Sequence, residues 1–221
     1  MVKNNFGIEE GDIMSKRDSF EELKYDNMRY DVLRELGNIG AGNATTALAQ
    51  LINSKINMNV PKVDLLTFSE LADVVGFAEK LVVGILVNLS GDIEGMMMFV
   101  MDYASAHCLV NCIRGKEKEN MEAFSEMDFS ALKEIGNIIA GAYLSALSTL
   151  MNLNIVESIP YMSIDMAGAV LSVPAIAFGE LGDRALLIQS EFDQVDTNVS
   201  GFFILIPTEE SYGKIMSSLG V

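Results

Sequence analysis

DVLRELGNIGAGNATTALAQLINSKINMNVP, from Asp31 to Pro61, is followed roughly a hundred residues later by SALKEIGNIIAGAYLSALSTLMNLNIVESIP, from Ser130 to Pro160. The two stretches align without a gap. They share Leu33/Leu132, Glu35/Glu134, Gly37/Gly136, Asn38/Asn137, Ile39/Ile138, Ala41/Ala140, Gly42/Gly141, Ala47/Ala146, Leu48/Leu147, Leu51/Leu150 and Pro61/Pro160. Matching apolar residues alone would show only that one helix had been duplicated. The matching polar residues carry more. An Asp or Ser, a Glu and an Asn recur at i, i+4 and i+7, which places all three on one helical face.

The same plan extends on both sides of these helices. In the first half a long helix is expected from about Asn27 to Asn53, with Leu33, Leu36, Ala44, Ala47, Leu48 and Leu51 on its buried side. VPKVDLLTF then reads as a strand, SELADVVG as a short helix, and KLVVGILVNLSGDIEGMMMFVMD as a hairpin turning at Ser90-Gly91-Asp92. YASAHCLVNCIRG returns to helix and ends near Gly115. KEKENMEAFSEMD reads as a charged linker. In the second half a helix is expected from about Asp128 to Leu153, then a strand at IPYMSIDM, an irregular stretch AVLSVPAIAFGELGD, a hairpin of RALLIQSEFDQV with VSGFFILIPT, and a closing helix EESYGKIMSSLG. Gly95 and Gly201 take matching places before the last strand of each half.

The predicted fold is α/β of the α+β kind. A duplicated unit, related by a pseudo-twofold axis, forms one continuous, mostly antiparallel sheet, with the two long motif-bearing helices on one face. The domain spans 26–221 as two repeats, 26–115 and 128–221. Residues 1–25 form an N-terminal appendage, either disordered or helical, in which Ser19 with Glu22 is a candidate capping box.

Composition narrows the function. The formal net charge of −16 opposes binding to nucleic acid or to an anionic membrane surface, since both require a basic footprint. The apolar runs LVVGILVNL and GMMMFVM are too short to span a bilayer. A polar N-terminus without an export signal, and two cysteines without framework spacing, fit a reducing cytoplasm.

Three features invite a chemical reading. The glycines of GNIGAG imitate a phosphate-binding loop, but a helical, charged MRYDVLREL precedes them and no P-loop lysine follows. Gly37, Gly40 and Gly42 each cost about 1 kcal/mol against Ala inside a helix, so close approach of another backbone or of a partner protein is expected there. His107, Cys108 and Cys112 are close in sequence, yet no fourth metal ligand is apparent, and they read as buried apolar residues. The Glu/Asn pairs remain. Glu accepts a hydrogen bond or pairs with a cation, and Asn both donates and accepts, so it can hold a water in one orientation. Neither is a strong nucleophile. Together they suit a reaction whose electrophile is activated elsewhere and which lacks only a placed water.

The pattern Asp/Ser-x-x-x-Glu-x-x-Asn with a later Pro resembles the signature of the CheC phosphatases of chemotaxis. It reads Asp31, Glu35, Asn38, Pro61 and again Ser130, Glu134, Asn137, Pro160, and the resemblance covers about residues 27–221. It implies hydrolysis of the aspartyl phosphate of a CheY-type response regulator. Glu35, Asn38, Glu134 and Asn137 would be catalytic, each Asn placing the attacking water and each Glu orienting the receiver. Asp31, Ser130, Pro61 and Pro160 would support the motif. No metal of its own is implied, because the receiver supplies Mg²⁺. The implied partners are the phosphorylated receiver and, as a regulator, the deamidase CheD. With two motifs in one chain a monomer is expected. A non-catalytic flagellar-switch or CheD-binding scaffold is the alternative, against which the intact Glu/Asn pairs argue. Ile139, Ala142 and Tyr143 replace Gly40, Asn43 and Ala44, so a bulkier second surface that binds the receiver differently or more weakly is expected.

Overall fold

The computed structural model describes residues 10–52, 56–67, 71, 79–114, 123–178, 184–194 and 197–220. Residues 1–9 of the appendage, most of the expected short helix SELADVVG, most of the charged linker and 179–183 of GELGDR lie outside the described residues.

Helix α1 runs from Glu10 to Ile52 without interruption. It therefore begins well before Asn27, and Ser19 and Glu22 lie inside it rather than capping it. Strand β1 (Ile56–Thr67) follows, then β2 (Leu81–Gly91) and β3 (Gly95–Asp102), and helix α2 (Tyr103–Arg114). The second half begins with α3 (Glu126–Met151), β4 (Ile155–Glu157) and β5 (Tyr161–Met166). Helix α4 (Ala167–Phe178), β6 (Arg184–Gln194), β7 (Thr197–Pro207) and α5 (Glu209–Ser218) complete the chain.

Among the described residues all strands join one seven-stranded sheet in the order β1-β6-β7-β3-β2-β4, with β5 also on β2, and every pairing is antiparallel. Its centre is the β3·β7 pair, where Met98 faces Ile204 in register. The pseudo-twofold passes there, so the two hairpins meet back to back. The outer strands change sides: β1 of the first half pairs with β6 of the second, and β5 of the second pairs with β2 of the first.

The matched prolines mark the same irregularity twice. Pro61 falls where the β1·β6 register shifts between Asn59 and Lys62. Pro160 falls in the gap between β4 and β5, so the expected strand IPYMSIDM begins, as β5, only after it at Tyr161. Proline has no N–H to give to a ladder, so it interrupts pairing in both places.

Alternate residues of the central strands enter two separate cores. Val83, Ile85, Val87, Met97, Phe99, Phe203 and Leu205 face α1, α2, α3 and α5. Val82, Met98, Val100, Ile204 and Ile206 face α4 and Leu71. A strand buried on both faces has no polar side, which is why GMMMFVM is apolar throughout. The motif helices do share one face, but the stretch expected to be irregular is the helix α4, with Pro174 inside it, and it covers the other face. The two layers grip β2 at adjacent residues. A Cβ at Gly84 would lie 2.4 Å from Val170 Cγ1 of α4, and a Cβ at Gly136 of α3 would lie 2.5 Å from Ile85 Cγ2. Both glycines are therefore set by close packing rather than by backbone freedom.

Candidate functional site

The two motif helices pack against each other as well as on the sheet. On α1 the buried side carries Leu33, Leu36, Gly37, Gly40, Ala41, Ala44 and Leu48, and on α3 it carries Leu132, Ile135, Gly136, Ile139, Ala140, Tyr143 and Leu147. Leu51 is not part of that side; it is exposed, as is its repeat mate Leu150. A helix with 3.6 residues per turn then turns i, i+4 and i+7 of the motif outward. Asp31, Glu35 and Asn38 are exposed on α1, and Ser130, Glu134 and Asn137 are exposed on α3.

Their hydrogen bonding separates the motif into two parts. Arg34 Nη2 donates to Asp31 Oδ1 at 3.0 Å, an exposed pair on the same helix. Ser130 Oγ donates to Glu126 O at 3.0 Å. Among the described residues, the side chains of Glu35, Asn38, Glu134 and Asn137 make no hydrogen bond or ion pair. In each copy the first motif residue is tied down by its own helix, while the Glu and the Asn are presented to solvent.

The second helix is fixed at its start by a cluster that sequence reasoning did not identify. Ser125 is the N-cap, and Ser125 and Asp128 form a reciprocal capping box. Asp128 is buried, accepts from Ser125 N at 2.8 Å and from Ser125 Oγ at 2.6 Å, and pairs with Arg114 from the end of α2. Burial alone would raise the Asp128 carboxyl; the bonds from Ser125 and the Arg114 guanidinium outweigh it and hold it well below the usual carboxylate range. The S-x-x-D spacing ahead of the motif was the available signal.

The expected bulky second surface does not exist as such. Ile139 and Tyr143 are fully buried, so the larger side chains of the second copy point into the core. A Cβ at Gly40 would lie 2.3 Å from Tyr143 Cδ1. Gly40 is therefore a notch for the Tyr143 ring, a side-chain contact rather than the expected backbone or partner contact. Ile139 and Ala44 are the repeat mates of Gly40 and Tyr143, and both are fully buried. Both larger residues, Ile139 and Tyr143, thus sit on α3, while α1 carries the small Gly40 and Ala44 at the matching positions. Only Asn43 against Ala142 remains as a difference nearer the surface, Asn43 being exposed and Ala142 half-buried. Gly42 has nothing within 4 Å of its would-be Cβ.

The buried His107 lies flat on Phe124, with ring centroids 3.9 Å apart, and edge-on to Tyr103; Cys108 and Cys112 form no disulfide and are half-buried. No group of three or more His, Cys, Asp or Glu able to hold a metal occurs among the described residues. No helix among them is long and apolar enough to cross a membrane.

The chain is 38% identical over 205 residues to the CheY-P phosphatase CheC of Bacillus subtilis, covering 91% of this chain and 97% of that protein. The chain belongs to the CheC-like family. The family's model matches residues 28–64 and 127–156, which are the two motif helices with the strand segments that follow them. The flagellar motor switch phosphatase FliY of Bacillus subtilis is 28% identical over 134 residues, 60% of this chain and 35% of that longer protein. The fold is that of Thermotoga maritima FliY, with a TM-score of 0.71 at 21% identity over 86% of this chain and 95% of that one. Membership of the CheC-like family thus rests on nearly the whole chain, the sheet and both motif helices included.

Proposed function

We propose that this protein is a phosphatase that hydrolyses the aspartyl phosphate of a CheY-type response regulator and so ends a chemotaxis signal. The observation that carries this reading is the pair of Glu/Asn couples, each solvent-facing on its helix and making no hydrogen bond or ion pair among the described residues, in a chain so similar to a CheY-P phosphatase.

Each Asn, Asn38 or Asn137, enters the receiver's phosphorylation site. Its amide holds a water in line with the bond between phosphorus and the aspartyl oxygen. The water oxygen forms the new bond to phosphorus, the bond to the aspartyl oxygen breaks, and the water's proton passes to the released phosphate or to solvent. Glu35 or Glu134 pairs with a lysine of the receiver and fixes the relative orientation. The receiver would supply Mg²⁺, whose charge would offset that of the phosphoryl group. This division of labour is chemically sufficient, since phosphoryl transfer needs mainly positioning and charge compensation. A hundredfold acceleration requires only about 2.7 kcal/mol, within reach of one oriented amide. The reading extends to a monomeric protein regulated by a CheD-type deamidase.

The test is the rate of phosphate loss from a phosphorylated CheY-type receiver, with and without the protein. Acceleration by the wild type that vanishes in Asn38→Ala/Asn137→Ala supports the proposal. Retained binding without acceleration would overturn it in favour of a scaffold.

A further inference from the structure

Among the described residues, the large apolar side chains that the motif helices leave exposed fall at the same repeat positions. On α1 they are Met28, Tyr30 and Leu51, and on α3 Met127, Phe129 and Leu150. In the alignment that pairs Asn38 with Asn137, Met28 pairs with Met127, Tyr30 with Phe129, and Leu51 with Leu150. Packing explains why buried positions of a duplicated helix stay apolar. It gives no reason for exposed ones to do so, because a polar residue there would remove apolar surface from water at no cost to the core.

Met28 is 46% exposed, Tyr30 46%, Met127 66% and Phe129 36%. Met127 lies three and seven residues before Ser130 and Glu134, on the same stripe of the helix. Phe129 lies four residues before Lys133, on the opposite flank of that stripe. Tyr30 takes the same place beside Arg34. Each Glu/Asn couple therefore has a methionine on one side and an aromatic ring on the other.

Distance decides which of the repeated residues belong together. At 1.5 Å per residue, Met and the ring lie about 12–15 Å along the axis from the Asn, and Leu51 or Leu150 about 20 Å beyond it. A standard interface covers about 800 Å² on each partner, a disc of about 16 Å radius. A receiver centred on the Asn covers Met and the ring but not the leucine. They fall toward the rim of such an interface, and aromatic and methionine side chains are enriched at interfaces over the rest of the surface.

We infer that Met28 with Tyr30, and Met127 with Phe129, are two equivalent apolar docking pairs for the receiver, one beside each Glu/Asn couple. They act on affinity and leave the placed water to the Asn. The inference rests on the proposed phosphatase reading and names part of the surface by which that site takes its substrate.

Each site is tested alone. In an Asn38→Ala background, Met127→Ser and Met127→Ser/Phe129→Ser are compared with their parent; in an Asn137→Ala background, Met28→Ser/Tyr30→Ser is compared likewise. Dephosphorylation is followed against receiver concentration, and binding of the phosphorylated receiver is titrated directly. The expected result is a rise of about tenfold or more in the half-saturating receiver concentration and in Kd, with the maximal rate kept. Met127→Ser alone guards against a packing effect, since Phe129 also lies near Phe124, with ring centroids 5.9 Å apart. An unchanged Kd overturns the inference. A fall in maximal rate without a change in Kd also overturns it. A change in oligomeric state with Kd unchanged assigns the patch to a second copy of the chain instead. If the parents bind the receiver but do not hydrolyse its phosphate, the phosphatase reading fails, while the titration still decides the docking pairs.

Discussion

The Tyr143 ring fills the space that any side chain at Gly40 would need, with Tyr143 Cδ1 2.3 Å from a Cβ built there. The same ring lies on Phe203 with centroids 4.3 Å apart, and Phe203 stacks on Phe99 at 4.5 Å. Phe99 and Phe203 are directly opposite in the central strand pair. An aromatic column thus runs from the sheet centre to the contact between the two motif helices.

Gly40→Ala is expected to lower stability by about 1–3 kcal/mol through overpacking, although Ala is the better helix former by about 1 kcal/mol. Urea unfolding measures it. Combining it with Tyr143→Leu should recover part of the loss, and a fully additive double variant would sink the interlock. Gly42→Ala, which meets nothing within 4 Å, should raise stability by up to about 1 kcal/mol.

Asp128 predicts an acid limb in the stability profile. Its folded-state pKa lies below the ordinary carboxylate value, so its contribution is fully present above about pH 4 and is lost as pH falls toward the folded value. Asp128→Asn should flatten that limb between about pH 4 and pH 2. At neutral pH, leaving Arg114 without its buried partner should cost about 2–4 kcal/mol. Unfolding at several pH values reads both effects, and an unchanged acid limb would remove Asp128 from the account.

With Ile139 and Tyr143 in the core, the reason for a weaker second site is gone. Asn38→Ala and Asn137→Ala should each leave a substantial share of the activity and the pair none. Thermal unfolding should be unaffected, because both residues are exposed and make no hydrogen bond or ion pair among the described residues. One single variant as inactive as the double would show that only one site works.

Gly95 has φ of +154°, and a Cβ there would lie 2.3 Å from Ile206 O. Gly95→Ala should destabilise the central β3·β7 pair by about 2 kcal/mol or more, since neither the backbone conformation nor the neighbouring carbonyl accommodates a side chain. Denaturant midpoints would register it.

The duplicated helices, both hairpins and the pseudo-twofold sheet were legible in the sequence, because the repeat carries its own register from Leu33/Leu132 to Pro61/Pro160. What escaped reading depends on contacts distant in the chain. AVLSVPAIAF has no polar face, so nothing separates a helix buried on a sheet from a loop, and Pro174 argues against helix. Tyr143 and Ile139 looked like surface differences because a motif names positions but not which way the helix is rolled. The Met28/Met127 and Tyr30/Phe129 matches gave no signal of their own, since an exposed apolar residue and a buried one are the same letter. For the candidate site, the outward placement of both Glu/Asn couples followed from their spacing; the Asp128–Arg114 clamp required knowing that the end of α2 lies against the start of α3.

The crossed outer strands have a consequence for ancestry and assembly. Neither half contains a complete set of neighbours for its own hairpin: β2 depends on β5, and β6 on β1. A single half made alone would expose unpaired strand edges, and two such halves would rebuild this sheet by exchanging strands. Joining them in one chain replaces a dimerisation, which fails on dilution, by an encounter at fixed effective concentration. Mutations that spread unequally between the halves, such as the large residue now at Tyr143 with glycine opposite, then become permissible, because the two copies no longer have to be the same molecule.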